Sequence, residues 1–256
     1  MPDFRDDFDG DDLDLSVWVP HYLPAWSSRE LSAAAYEIRD STLRLRIPTD
    51  HPVWCAGDHE PPLRVSGIQS GSFSGPVGST RGQQPFRDGQ TVREEQPEHW
   101  GWTPSGGRIS IRCAMRLAAR SMAALWLVGR EIDPEESAEI CVVEVFGRSV
   151  DPGRSAEVGM GLHAFRDPRV GEDFAPPRLP IDVEEMHDYT VDWSLEECVF
   201  LVDGEEVRRC AGPPTYPMQL MLAVFDFPEW SAGDDGDLVP ELIVEHLTGT
   251  GLRDDP

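Results

Sequence analysis

Two glutamates inside an apolar stretch carry the strongest chemical signal in this 256-residue sequence. The stretch is AEICVVEVFG, residues 138–147, with Glu139 and Glu144 five positions apart and Cys141 between them. Strands favour β-branched and apolar residues, and a carboxylate is rarely buried without a partner. In a regular strand side chains alternate. Glu139 and Cys141 would then share one face and Glu144 the other, with roughly 16 Å between the glutamates. A β-bulge near Val142–Val143 adds one residue without advancing the ladder and reverses the parity. Glu139, Cys141 and Glu144 then fall on one face. Two carboxylates facing one cleft are the equipment of glycoside hydrolysis. At a separation of about 5–5.5 Å one attacks the anomeric carbon and the other protonates the leaving oxygen. The acid partner needs a raised pKa, which partial burial and neighbouring negative charge supply. Spacing alone also fits two glutamates at the solvated ends of an edge strand.

Such a pair needs a sheet to hold it, and the sequence supplies one. Segments of strand length recur: TLRLRI, RISIRCAM, AALWLVG, EICVVEVFG, EVGMGLHAF, YTVDWSL, CVFLVDG, MQLMLAVFDF and ELIVEHLTG. Turn residues separate them, with 23 glycines and 23 prolines in the chain. Many short strands with turns between them predict an all-β sandwich or barrel. Asp203-Gly204 between apolar runs signals a hairpin, and DVEEMHDY has the pattern of one short helical turn. Residues 66–107 are rich in Gly, Ser, Gln and charge, and Trp100 and Trp102 close the segment. The expectation there is a surface loop bordering any cleft, with one strand near Gln90–Glu95. No repeat or linker divides the chain, so residues 1–256 are read as one domain.

Composition narrows the partners. The formal net charge is −25. Nucleic acid and anionic membranes need basic partners, so both are disfavoured, while a neutral ligand such as a sugar is compatible. All 22 basic residues are arginine. Without a lysine there is no Walker-type phosphate loop and no Schiff-base chemistry. Cys55, Cys113, Cys141, Cys198 and Cys210 show no metal-binding spacing. Free thiols are the simplest reading, with one or two disulfides left open. The acidic N-terminus lacks the basic and apolar regions of a signal peptide. No run of about 18 apolar residues predicts a membrane span. The compartment stays open between the cytoplasm and a trimmed secreted protein.

The glutamate segment resembles the signature of glycoside hydrolase family 16, Glu-x-Asp-x-x-Glu in its bulged form. Other landmarks follow in the family's order. GGRISIR (106–112) is similar to its Tyr-Gly-Arg-aromatic-Glu-x-Arg strand. AALWLVG (123–129) resembles the apolar-Trp strand before the catalytic one. MHDYTVDWSLEECVFLVDGEEV (186–207) resembles the His-x-Tyr-x-x-x-Trp…Val-Asp-Gly hairpin. YPMQLMLAVF (216–225) and DFDGDDLDLSVW (7–18) resemble the next strand and the N-terminal opening. The resemblance implies a concanavalin-like jelly roll: two antiparallel sheets with a concave carbohydrate cleft. It implies retaining hydrolysis of β-linked polysaccharides, mostly β-1,3- and β-1,4-glucans or galactans, with Glu139 as nucleophile and Glu144 as general acid/base.

The same resemblance places Trp126, Arg112 and His163 against the sugar. Trp54, Trp100, Trp102 and Trp230 lie in loops, where aromatics suggest outer subsites, and Trp102 and Trp230 are taken as substrate-binding. Trp126 also qualifies as a platform for an apolar sugar face. His187 is read as structural and Trp193 as core. A polysaccharide or oligosaccharide is the expected partner, with no cofactor and a monomeric chain. Three departures stand out. Cys141 replaces an Asp that hydrogen-bonds the nucleophile, which removes a negative charge from the catalytic group and admits a relative that binds sugar with little or no turnover. Cys141 itself is disfavoured as a nucleophile, because flanking carboxylates raise a thiol pKa. Ser110 replaces a substrate-contacting Glu. Glu245-His246 replace an Asp-Tyr that helps hold a structural calcium in some members, so calcium is disfavoured here.

Overall fold

Period-two burial organises the strand Gly107–Arg116: Ile109, Ile111, Cys113 and Met115 are buried, and Arg108, Ser110 and Arg112 point outward. Neighbouring strands alternate likewise, His187–Trp193 burying Tyr189, Val191 and Trp193, and Glu197–Val202 burying Cys198, Phe200 and Val202. One-faced alternation of this kind marks an antiparallel sheet with one side in a core and one in water. The computed structural model describes residues 3–231, 233 and 238–251. It contains two main antiparallel sheets. In the first the strand order is Glu205–Ala211, Glu197–Val202, His187–Trp193, Gly107–Arg116, Glu241–Thr250, Leu43–Arg46 and Tyr36–Ile38, and Phe4–Asp6 also pairs with Glu241–Thr250. The second runs Asp173–Ala175, Gly159–His163, Glu139–Phe146, Ser121–Gly129, Met218–Asp226 and Arg64–Gln69. Only three-residue 3-10 turns interrupt the strands and loops among the described residues. This is the two-sheet jelly roll that the strand pattern and the family resemblance imply.

The second sheet differs in being covered on both faces. Ser121–Gly129 and Met218–Asp226 are buried at every position. That explains why AALWLV and MQLMLAVF read as continuous apolar runs. One face (Ala123, Leu125, Leu127, Leu220, Leu222, Val224) packs on the first sheet. The opposite face (Met122, Ala124, Trp126, Val128, Met221, Phe225) is covered by loops from the N-terminal half, through Leu23, Trp26, Trp54 and Leu63. Trp26 anchors this cover: it is fully buried and its Nε1 donates to the Gln83 carbonyl at 2.7 Å. Gly82 lies beneath it, where a Cβ would come within 2.7 Å of the indole.

The structure corrects several local expectations. Residues 66–107 begin in the strands Arg64–Gln69 and Gly71–Ser72 and end near His99–Trp100, and 90–95 is not a strand. The rest is packed loop, tied down by bonds such as Arg93 N–H to the Ala25 carbonyl at 2.8 Å. DVEEMHDY forms a hydrogen-bonded turn leading into a strand rather than a helical turn. The Asp203-Gly204 hairpin is present, both residues having positive φ. All five cysteines are free and buried. Trp193 is core, and His187 pins its strand through Asp203 at 2.6 Å and the Asp182 carbonyl at 3.0 Å.

Trp102 is also a core residue rather than an outer sugar platform. It is buried, stacks on Phe4 at 4.9 Å, and covers Gly249, where a Cβ would come within 2.0 Å of the indole. Trp102→Ala is expected to lower unfolding stability by about 3–5 kcal/mol. Urea denaturation monitored by circular dichroism measures it, and a loss below about 1 kcal/mol would contradict the core assignment.

Candidate active site

The bulge sits at Val142. Along the pairing of Glu139–Phe146 with Ser121–Gly129, Val128 faces Glu139, Leu127 faces Ile140 and Trp126 faces Cys141. The register then shifts, so that Leu125 faces Val143 and Ala124 faces Glu144. Val142 has no partner in this ladder. Val142 and Val143 therefore both enter the core between the sheets, with Ile140 and Val145. Cys141 joins the opposite, loop-covered face, where Glu139 and Glu144 line a common cavity. The strand on the other side is irregular to match: Gly159 pairs with Glu144, Gly161 with Cys141 and His163 with Glu139. Gly161 has φ 143°, and a Cβ there would lie 2.2 Å from the Asp173 carbonyl oxygen. Only glycine fits that close approach.

The cavity has a volume of about 300 Å³. Of the sequence-derived candidates it brings together Glu139, Glu144, Trp126 and His163. Trp126 is buried, and its indole N–H has no hydrogen-bond partner by distance and angle among the described residues. It is nonetheless near enough to Glu144 and Cys141 to favour their charged forms. His163 Nδ1 bonds Glu172 at 2.6 Å, and its ring stacks on Phe174 at 4.5 Å. That fixes the ring and leaves Nε2 for the cavity. Cys141 lies beneath the two glutamates, its thiol donating to the Gly159 carbonyl over 3.6 Å. Neither glutamate receives that proton.

Burial dominates the electrostatics. Glu139 is held well above the usual carboxylate range, first by desolvation, then by the charges of Glu144 and Glu172. Glu144 is raised by desolvation as well, with His163 and the Trp126 indole acting against it. Cys141 is raised well above an ordinary thiol by burial and by both glutamates. Burial and the two carboxylates thus keep this thiol in its neutral form. No cluster of three or more His, Cys, Asp or Glu able to hold a metal occurs among the described residues.

The sequence model for the glycosyl hydrolases family 16 matches residues 107–238. The chain belongs to this family. No curated protein sequence matches it. Among solved structures, it is similar to a GlcNAcα1-4Gal-releasing endo-β-galactosidase from Clostridium perfringens, with a TM-score of 0.77 and 24% identity over 96% of this chain and 60% of that one. This chain thus spans less than two thirds of that protein. It also resembles a β-1,3-1,4-glucanase (lichenase) derived from a mouse hindgut metagenome (TM-score 0.64, 16% identity, 98% and 100% coverage). A laminarinase from Flavobacterium sp. UMI-01 is similar as well (0.65, 16%, 96% and 98%). At these identities the likeness is one of fold.

Arg112, Ser110, Trp102 and Trp230 land outside this cavity. Arg112 stands on the outer face of the first sheet, bound to Asp188 at 2.9 Å and Glu245 at 3.0 Å. Ser110, on that same face, bonds Thr190 at 2.7 Å, so its replacement of Glu has no bearing on the cavity. Trp102 is in the core. Trp230 stacks on Phe227 at 4.1 Å and lies 6.2 Å from Phe146, outside the cavity. Sequence reasoning missed much of the cavity wall: Tyr22, Leu23, His59, Leu63, Gln84 and Phe86 come from the N-terminal loops. Trp54 joins them, a buried indole whose N–H has no partner. Loop aromatics were the one available signal, and Trp54 alone among those flagged reached the cavity.

Raised carboxyls cost stability when ionised. The folded state holds protons on Glu139 and Glu144 that the unfolded chain releases around its ordinary value of 4.5. Glu131, pushed up to about 7 by burial against the opposing pull of Arg166, acts in the same direction. Stability is thus fully present below the unfolded pKa and falls as pH rises through the folded values. Glu139→Gln should raise the melting temperature at about pH 8 by a few degrees and flatten its decline from about pH 5, since roughly 1 kcal/mol shifts a domain of this size by 2–4 °C. Thermal melts across that range check it; a variant that melts lower at every pH would contradict the assigned strain.

Proposed function

We propose that the chain is a retaining, endo-acting glycoside hydrolase of β-linked polysaccharides of the β-1,3/1,4-glucan type, built as one catalytic domain that uses no cofactor. One observation carries this reading: in a family 16 chain, the Val142 bulge turns Glu139 and Glu144 into one cavity. The glucanase and endo-β-galactosidase folds it resembles support the same class of substrate.

Double displacement assigns the two carboxyls as follows. Glu139 attacks the anomeric carbon while Glu144 protonates the departing glycosidic oxygen, leaving a glycosyl ester on Glu139. Glu144, now a carboxylate, removes a proton from water, which opens the ester and restores the starting anomeric configuration. The competent pair carries one proton, on Glu144; burial raises Glu139 further than Glu144, so this form is the reverse of the proton placement that the free pair favours. Since both carboxyls are raised, the active window lies above the range of ordinary carboxylates. Loss of the pair's last proton ends activity on the alkaline side, and protonation of both carboxyls ends it on the acid side. Trp126 supplies an apolar ring and a free indole N–H to the sugar, and His163 holds Glu144 toward its charged form for the second step.

Glu139→Gln should keep the fold and lower kcat by about three orders of magnitude. Reducing-end assays on β-glucans and galactans, with nuclear magnetic resonance of the first-formed anomer, measure both claims. Undiminished hydrolysis, or an inverted first product, would overturn the assignment.

A second reading, a sugar-binding relative with little or no turnover, is favoured by Cys141. Its thiol serves Gly159 rather than a glutamate, so Glu139 lacks the hydrogen bond that an Asp would give. Measurable oligosaccharide binding without release of reducing ends from any polymer tested would select that reading.

A further inference from the structure

Glu144 borders two hollows. The first is the cavity it shares with Glu139. The second, about 210 Å³, is lined by Glu144, Phe146, Arg148, Ser149, Glu157 and Phe174 among others, and does not include Glu139. Glu144 faces this hollow as well as the first, so a leaving oxygen that Glu144 protonates, as proposed above, departs beside it.

The charge of that hollow is unusual for this chain. Most arginines here are bound to carboxylates, as the acidic composition favours. Arg148 is not: no ion pair or hydrogen bond to its guanidinium occurs among the described residues, and its contacts are two rings. The guanidinium lies 5.0 Å from the Phe146 ring centre and 4.8 Å from that of Trp230. Flat aromatic faces hold a planar guanidinium while its N–H edge stays open for a fork of hydrogen bonds. The acidic neighbour is already answered, since Glu157 is paired with Arg178 at 3.0 Å, and Arg178 also donates to the Ser149 carbonyl at 3.2 Å. With Glu144 protonated, the uncompensated charge of the hollow is the Arg148 cation. The rest of the negative charge is spread over the molecule and is screened beyond about 8 Å at physiological salt.

We propose that, in place of the neutral sugar of a plain glucan, the leaving side of the cleft takes an acidic sugar of a β-linked polysaccharide, whose sulfate or carboxylate is bound by Arg148. Sulfate esters and uronic acids share the planar or forked acceptor geometry that a guanidinium reads. Trp230, expected as a sugar platform, acts here through Arg148: its ring holds the cation over the hollow.

Matched oligosaccharide pairs test this by calorimetry at about pH 6. One arm uses a sulfated galacto-oligosaccharide and its desulfated counterpart. The other uses a glucuronate-containing β-linked oligosaccharide and its carboxyl-reduced counterpart. Both are titrated into the Glu139→Gln protein and into Glu139→Gln/Arg148→Met. The acidic member of at least one pair should bind about tenfold tighter than its neutral counterpart, with the preference lost on Arg148→Met and weakened by added salt. The arm that shows it identifies the anion. Equal binding within both pairs, or a preference that survives Arg148→Met, overturns the proposal. Hydrolysis by the unsubstituted protein is scored separately. Activity that persists in Glu139→Gln defeats the catalytic reading, whereas a normal loss of activity without anion preference defeats this proposal alone.

Discussion

One unpaired residue, Val142, sets the geometry on which the site depends. It sends two consecutive valines into the core between the sheets and so returns Glu144 to the side of Glu139. A regular ladder would drive Glu144 into that core, where an unpaired carboxylate costs several kcal/mol. Proteins keep bulges next to active sites for this re-aiming of side chains. The neighbouring strands accept it because the row through Glu144 is built of small residues: Gly159 on one side, and Ala124, Ala223 and Gly67 in succession on the other. Large residues flank that row, Trp126 and Met221 on one side and Met122 and Phe225 on the other.

The second constraint is burial of the second sheet on both faces. Loops carrying Leu23, Trp26, Trp54 and Leu63 close over its outer side and leave the cavity between them. That enclosure desolvates the glutamates and lifts their pKa values, so the pair is also a source of instability at neutral pH. Asp226, fully buried at the end of its strand, differs from the glutamates in being paired, with both Arg64 and Arg120.

The strands and the bulge were legible because they are local. Period-two alternation marks RISIRCAM, and continuous apolar runs mark AALWLV and MQLMLAVF. Two glutamates five apart in an apolar strand make sense on one face only with an extra residue between them. What was not legible is which sheet a strand joins. Arg112 alternates correctly, but alternation says only that it faces away from Ile111, and its sheet turned out to be the one without the cavity. Trp102 sits in a Gly-rich, polar segment whose composition suggests surface, yet Gly249, nearly 150 residues on, makes the space that buries it. The cavity wall was equally hidden. Tyr22, His59 and Phe86 meet only when distant loops fold over the sheet, and no local spacing announces that.

Cys141 now has a defined place. It lies on the strand between the pair, a thiol kept neutral by burial and bonded to the Gly159 carbonyl rather than to Glu139. In the proposed double displacement, Glu139 attacks without a hydrogen bond from its strand neighbour. The most direct test is to treat the protein with 2-deoxy-2-fluoro β-glucosides and β-galactosides carrying a good leaving group and to map the label by peptide mass spectrometry. The account predicts a glycosyl ester on Glu139. A stable label on Glu144, on Cys141 or on any other residue would contradict it.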